Sequence, residues 1–363
     1  MKIGVVRYCL PLTLSRSSSS GGGWILEDIL RGLMGKGHEI FILSEVNKKD
    51  SLFWNRYKFK FSFYKVPKNL DLLLVIQGPF NVTFCSKNFG PYLKGFNRVL
   101  AQYSGPVGLL VWDYELPVFL SSKNKSYLKM CEGLGENFLI RDKKWVVIVS
   151  DKELVRKKWS SPFFDFLKEG KIIEGVDFCK LGFSLDKYSA PQMGDLLSYF
   201  GSDRKGRLKV FERYYLQSGL LVNLFGNWNK KNLRSLKKYP NLKFKGKLTE
   251  REVWDAMRKT FFQIYISDDF YNKKHFITRR FYIGILSGSV VLFQKESTPV
   301  SKGWIPKKFI VSSGDEVREF IIKNKDFNKR KILVDELQEI IDTSKIKDHR
   351  EKTLETIERI VRI

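Results

Sequence analysis

Largely apolar runs over 2–6, 39–43, 72–76, 107–112 and 145–149 punctuate the first half of the chain. Runs of this length without polar alternation predict strands buried on both faces. Between the first two, Leu26, Ile29, Leu30 and Leu33 recur at helical spacing over 24–34, and Gly35 and Gly37 stop the pattern. Strands alternating with helices predict a parallel sheet covered on both sides. The stretch 56–65 alternates basic and aromatic residues with period two. It predicts a half-buried strand with its lysines outward.

A polar stretch at 186–195, with Pro191 and Gly194, predicts a linker, and the alternation restarts after it. Strands are predicted at 196–200, 220–225, 242–248, 261–266, 290–293 and 309–312, with helices over 205–217 and from Thr278. Thr249 and Glu252 have the spacing of a capping box for another helix. The end, 328–363, is charged and helical in pattern. The expectation is an α/β chain of the GT-B type: two Rossmann-like domains, 1–188 and 189–340, facing a central cleft. The C-terminal helices would return towards the N-terminal domain, with 341–363 packing across both. Such sheets bind ligands beyond the carboxyl ends of their strands.

Composition adds charge. The 363 residues carry a formal net charge of +26, which points to a polyanionic partner, nucleic acid or an anionic membrane, or to a lysine-rich solvated surface. No apolar run reaches the ~20 residues that span a bilayer, and the N-terminus reads as a strand rather than a signal peptide. Cys9, Cys85, Cys131 and Cys179 are far apart and form no Cys-x-x-Cys. That spacing argues against structural zinc and fits a reducing, cytoplasmic location.

Several positions could carry chemistry. The loop 15–23, ending in Gly22 and Gly23, lies between a strand and a helix, as a phosphate cradle or a flexible tether would. It has neither the Walker nor the dinucleotide-binding fingerprint. The loop 201–207 holds Ser202, Arg204 and Arg207 in a similar place, and Arg279 and Arg280 open the helix after Thr278. Guanidinium groups converging there would suit a diphosphate. Asp113 follows a predicted strand and is placed either as a general base or as a turn cap. Asp268 and Asp269 read as turn residues. His38, His275 and His349 are scattered, so neither a metal site nor a Ser-His-Asp nucleophile is expected.

Segments in both halves resemble, in order, the DNA β-glucosyltransferases of T-even phages. The strongest are Leu221-Val-Asn-Leu-Phe-Gly-Asn227, Phe244-Lys-Gly-Lys-Leu248, Tyr271-Asn272 and Phe276-Ile-Thr-Arg-Arg280. Asn81, Asn88-Phe-Gly90 and Trp112-Asp-Tyr-Glu-Leu-Pro117 match in the first half. The resemblance implies inverting transfer of glucose from UDP-glucose to a hydroxymethyl group on a flipped base in duplex DNA. A divalent metal would be stimulatory rather than structural, and the protein a monomer without a membrane partner. Asp113 falls on the family's catalytic base. Arg204, Arg207 and Arg280 fall on phosphate-binding arginines, with one residue fewer between the first two. Ser202, Gly226, Leu248 and Tyr271 fall beside the nucleotide, Leu248 where a backbone contact reads the uracil. Asp186 falls on an acidic residue that holds the sugar, and Asn81 on the residue filling the gap left by the extruded base. Lys123, Lys125, Lys129, Lys143 and Lys144 are candidate DNA-backbone contacts.

Two departures stand out. Ile283 occupies the position of a ribose-binding glutamate, so either the ribose is held differently or the donor nucleotide is not UDP. Gly21-Gly-Gly23 replaces an acidic segment, which leaves the sugar open. Two other readings are a GT-B transferase acting on a lipid or envelope glycan, and a DNA-binding module of this fold that has lost catalysis.

Overall fold

The computed structural model describes residues 1–7, 12, 22–46, 58–76, 89–111, 145–149, 171–173, 175–203, 206–273 and 275–362. They form two compact units. One holds the described residues up to Gly182 together with Lys347–Ile363, and the other runs Phe183–Ile346. Residues 183–194 join the second unit through packing that the composition of a linker does not reveal. The Tyr188 N–H donates to the Leu286 carbonyl, and the Tyr188 carbonyl accepts from Gln338. Gly288 (φ +83°) lies so near Ser189 that a Cβ would stand 2.3 Å from the Ser189 carbonyl oxygen.

The first unit is built on a seven-stranded parallel sheet. Its strands are β1 (Lys2–Arg7), β2 (Glu39–Ile42), β3 (Lys60–Phe61), β4 (Leu72–Ile76), β5 (Val107–Val111), β6 (Trp145–Val149) and β7 (Lys171–Ile173), in the order β3-β2-β1-β4-β5-β6-β7. All five residues of β4 are buried, as expected of a central strand covered on both faces. Helix α1 (Gly22–Gly35) buries Leu26, Ile29, Leu30 and Leu33, the residues whose spacing predicts it. Helix α2 (Phe89–Gln102) precedes β5. The predicted strand at 56–65 is corrected: among its described residues only Lys60–Phe61 pairs. Lys58 and Tyr64 both take positive φ, 53° each, and such residues do not continue a ladder.

The second unit repeats the plan with six parallel strands. In chain order come β8 (Asp195–Phe200), α3 (Arg207–Phe211), β9 (Val222–Phe225), α4 (Lys230–Leu236), β10 (Leu242–Gly246), α5 (Glu250–Met257), β11 (Thr260–Tyr265), α6 (Asp269–Lys273), α7 (Arg280–Leu286), β12 (Val290–Gln294), α8 (Thr298–Ser301) and β13 (Ile310–Val311). Helices α9 (Gly314–Asn324), α10 (Phe327–Glu339) and α11 (Thr343–Arg359) follow. The capping box at Thr249 and Glu252 forms as its spacing predicts. After α3 the helix widens into a π-turn, Glu212–Leu216, where sequence spacing predicts a plain α-helix. Strand β13 is shorter than its predicted run because Lys307–Phe309 first closes a 3-10 turn.

Residues 347–362 pack within the first unit through directed polar contacts. Arg350 donates to the Lys180 carbonyl and stands 3.7 Å from Asp28. His349 Nε2 accepts from the Asp177 N–H at 3.0 Å. The N-terminal amine and Glu358 lie on the two ring nitrogens of His38, at 3.2 and 2.6 Å.

Candidate functional site

The second sheet runs β10-β9-β8-β11-β12-β13, so strand order reverses between β8 and β11. The crevice beyond the carboxyl ends of those two strands is where a sheet of this topology takes its ligand. Strand β8 ends at Phe200 and continues into Gly201-Ser202-Asp203, while β11 ends at Tyr265 and continues into Ile266-Ser267-Asp268.

Arg280, the first residue of α7, bridges the two strand ends. Its Nη1 donates to the Phe200 carbonyl at 3.3 Å and to the Tyr199 phenol at 3.2 Å. Its Nη2 donates to the Ile266 carbonyl at 3.1 Å. Arg207, the first residue of α3, enters from the other side. Its Nη1 reaches the same phenol at 3.2 Å, and its Nη2 pairs with Asp268 at 2.8 Å. The Arg207 and Asp268 side chains are 4% and 7% exposed, so this is a buried ion pair. The second oxygen of Asp268 accepts from the Tyr271 N–H at 3.1 Å, holding the turn into α6.

Electrostatics follow from this crowding. Burial pushes the Tyr199 phenol up, but the two guanidinium groups outweigh it, and the phenol ends below the ordinary tyrosine value. Burial likewise works against the charge on Arg207. The Tyr199 and Asp268 oxygens overcome it and hold the guanidinium protonated.

The loops around this pair are fixed by close backbone approach. Gly226 has φ +138°, and a Cβ there would sit 2.0 Å from the Gly201 carbonyl oxygen. That same carbonyl accepts from Trp228 Nε1 at 2.9 Å. A Cβ on Gly201 would stand 2.5 Å from the Tyr199 phenol oxygen. Glycine at both positions lets the loops close over the tyrosine. The Asp203 carboxylate ties the loop to α4 by accepting from Asn229 and from Asn232 Nδ2.

Of the residues proposed from sequence, Arg207, Arg280, Tyr271 and Gly226 converge here, joined by contacts or shared loops. Ser202 is half-buried in the loop after β8, and Leu248, also half-buried, follows β10. Asp186 is exposed and bonds to Ser184. Gly22 and Gly23 open α1 in the other unit. Asp113, Arg204, Asn81, Lys123, Lys125, Lys129, Lys143 and Lys144 lie outside the described residues. Ile283 is 5% exposed within α7, a core position. Two residues of the cluster have no signature in sequence. Tyr199 reads as one more apolar strand residue, and Asp268 as a turn aspartate. Asp268 does hold a turn, but it is also the counter-ion of Arg207.

No family model matches the chain, and no curated protein matches it in sequence. Solved structures do. A mutant of the T4 phage β-glucosyltransferase in complex with UDP-glucose matches at a TM-score of 0.70 and 19% identity, over 100% of both chains. The same phage enzyme with UDP and Mn2+ matches at 0.70 and 18%, again over 100% of both. A trehalose-6-phosphate synthase matches at 0.51 and 10%, over 99% of each chain. The fold is GT-B. Identity this low establishes architecture and not activity. In the GT-B plan the second unit's switch point is the crevice that Arg207 and Arg280 flank. Among the described residues no three His, Cys, Asp or Glu side chains gather as a metal site. Nor, among those residues, is any helix long and apolar enough to cross a membrane.

Proposed function

We propose that this chain is a glycosyltransferase that moves a sugar, glucose, from UDP-glucose to the hydroxyl of a hydroxymethylated pyrimidine in duplex DNA. The observation that carries the reading is the meeting of Arg207 and Arg280 on one phenol at the β8–β11 switch point. A diphosphate is the ligand such a pair suits, because guanidinium forks match phosphate oxygens. The phage enzyme that shares the fold over its whole length is solved with UDP-glucose.

In this reading the acceptor hydroxyl attacks the anomeric carbon and the bond to the diphosphate oxygen breaks, inverting the configuration. Asp113 takes the hydroxyl proton. The arginines stabilise the charge that develops on departing UDP. Leu248 reads the uracil through its backbone, Tyr271 lies beside the phosphates, and Asp186 holds the sugar. Gly22 and Gly23, which open α1, are assigned to donor binding as well. On the acceptor side the net charge of +26 favours a polyphosphate backbone, met by Lys123, Lys125, Lys129, Lys143 and Lys144. Asn81 fills the space of the extruded base, offsetting part of the few kcal/mol that extrusion costs. The described residues offer no ready cluster for the divalent ion that accompanies UDP in a neighbour, since the Asp268 carboxylate is occupied by Arg207.

Asp113→Ala tests the assignment. Transfer to hydroxymethylated DNA is expected to be lost while UDP-glucose binding, followed by calorimetry, stays within about threefold of wild type. Transfer that survives the substitution removes Asp113 from the mechanism.

A further inference from the structure

The Tyr199 phenol has an unusual set of partners. It accepts one N–H from Arg207 and one from Arg280, both at 3.2 Å, and its side chain is 1% exposed. Among the described residues, nothing accepts the phenol's own proton. The groups that face it are Arg207 on α3, Arg280 on α7 and, behind Arg207, Asp268 in the turn after β11. Tyr215 lies edge-on with ring centroids 5.3 Å apart, and its own hydroxyl is engaged by the Ile264 backbone. Phe211 and Trp228 supply the rest of the ring's aromatic surroundings.

Charge balance makes this arrangement informative. Two guanidinium groups and one carboxylate leave the cluster one positive charge in excess when Tyr199 is a phenol, and neutral when it is a phenolate. A buried cluster favours neutrality. A diphosphate placed against the same guanidinium groups would supply the negative charge itself.

We propose that Tyr199 is a positioning residue of the donor site: its oxygen gathers Arg207 and Arg280 at the switch point in the empty protein and takes up a proton when a diphosphate arrives. The inference rests on the reading of this crevice as a diphosphate site. In the empty state the phenolate oxygen accepts from both arginines. On binding, phosphate oxygens take over part of that acceptance, and one proton from solvent converts the phenolate to a phenol. The phenol then has a phosphate oxygen to donate to. The downward displacement of the Tyr199 titration agrees with this. Tyrosine is needed because phenylalanine fills nearly the same volume but removes the one acceptor that both guanidinium groups share.

The test uses the full chain with inorganic pyrophosphate, which does not absorb in the tyrosinate band. Between neutral pH and the ordinary tyrosine value of 10.0, pyrophosphate should bleach about one tyrosine's worth of tyrosinate absorbance from the wild type. Tyr199→Phe should abolish that signal and weaken UDP binding about tenfold or more, as expected for losing an acceptor to charged donors. Wild type that binds UDP and pyrophosphate with no change in tyrosinate absorbance overturns the inference and leaves the donor site standing, even if the variant fails to fold. A folded Tyr199→Phe that binds UDP as wild type does the same. Wild type that binds neither ligand removes the diphosphate reading and this inference together.

Discussion

The Arg207–Asp268 pair is the sharpest energetic feature of the crevice. Asp268→Ala would leave the Arg207 guanidinium buried, with only the Tyr199 oxygen, shared with Arg280, as partner. The pair is 2.8 Å apart with side chains 4% and 7% exposed, so neither charge can turn to solvent without moving the loops around it. Breaking a buried pair from one side costs about 3–5 kcal/mol. The Tyr271 N–H loses its acceptor as well, which adds about 1 kcal/mol for a lost turn cap. The second unit should therefore lose about 4–6 kcal/mol. Combining Asp268→Leu with Arg207→Met removes both charges and should cost less than either single change, a coupling of more than about 1 kcal/mol. Unfolding of two units is not expected to be two-state. Amide hydrogen exchange in β8 and β11 is thus the suitable assay, because it reports the second unit alone. A loss below about 1 kcal/mol for Asp268→Ala, or simple additivity in the double variant, would refute the argument that this ion pair is buried and coupled.

Gly226→Ala places a Cβ 2.0 Å from the Gly201 carbonyl oxygen at a φ of +138°. It should destabilise the second unit by about 3 kcal/mol or more and weaken UDP binding in the same preparation; a neutral result in urea denaturation contradicts the close approach. His349 is half-buried and uncharged where it accepts from the Asp177 N–H, and partial burial, then Lys180, hold its pKa below 6.5. The unfolded chain therefore binds the proton more readily, and stability falls as pH drops from 6.5 towards the folded value. Thermal unfolding across that window should show this fall in wild type, and His349→Gln should flatten it; an unchanged slope contradicts the role given to the ring.

Much of the fold is legible in residue pattern because buried parallel strands and amphipathic helices write themselves locally. The run at 72–76 and the spacing of Leu26, Ile29, Leu30 and Leu33 name β4 and α1 almost to the residue. Pattern fails where two structures share one period. Phe211, Tyr214 and Tyr215 have helical spacing whether the backbone winds as an α-helix or, as here, passes into a π-turn. The basic-aromatic alternation at 56–65 has strand period, but positive φ at Lys58 and Tyr64 confines pairing to two residues. Arginines at helix starts are visible in sequence. Their partners are not: Tyr199 and Asp268 lie 8 and 61 residues from Arg207. Only the reversal of strand order between β8 and β11 brings the three together.

The proposed reaction is transfer of a sugar to a hydroxymethylated base. Its most direct test is mass spectrometry of nucleosides from duplex DNA containing hydroxymethylcytosine or hydroxymethyluracil, incubated with the protein and a panel of UDP- and dTDP-sugars. A hexose-sized gain on one modified base, with UDP-glucose as donor, is the expected result. A gain only with dTDP-sugars would contradict the donor assignment. No gain with any pair, from protein that binds the DNA, would contradict catalysis itself.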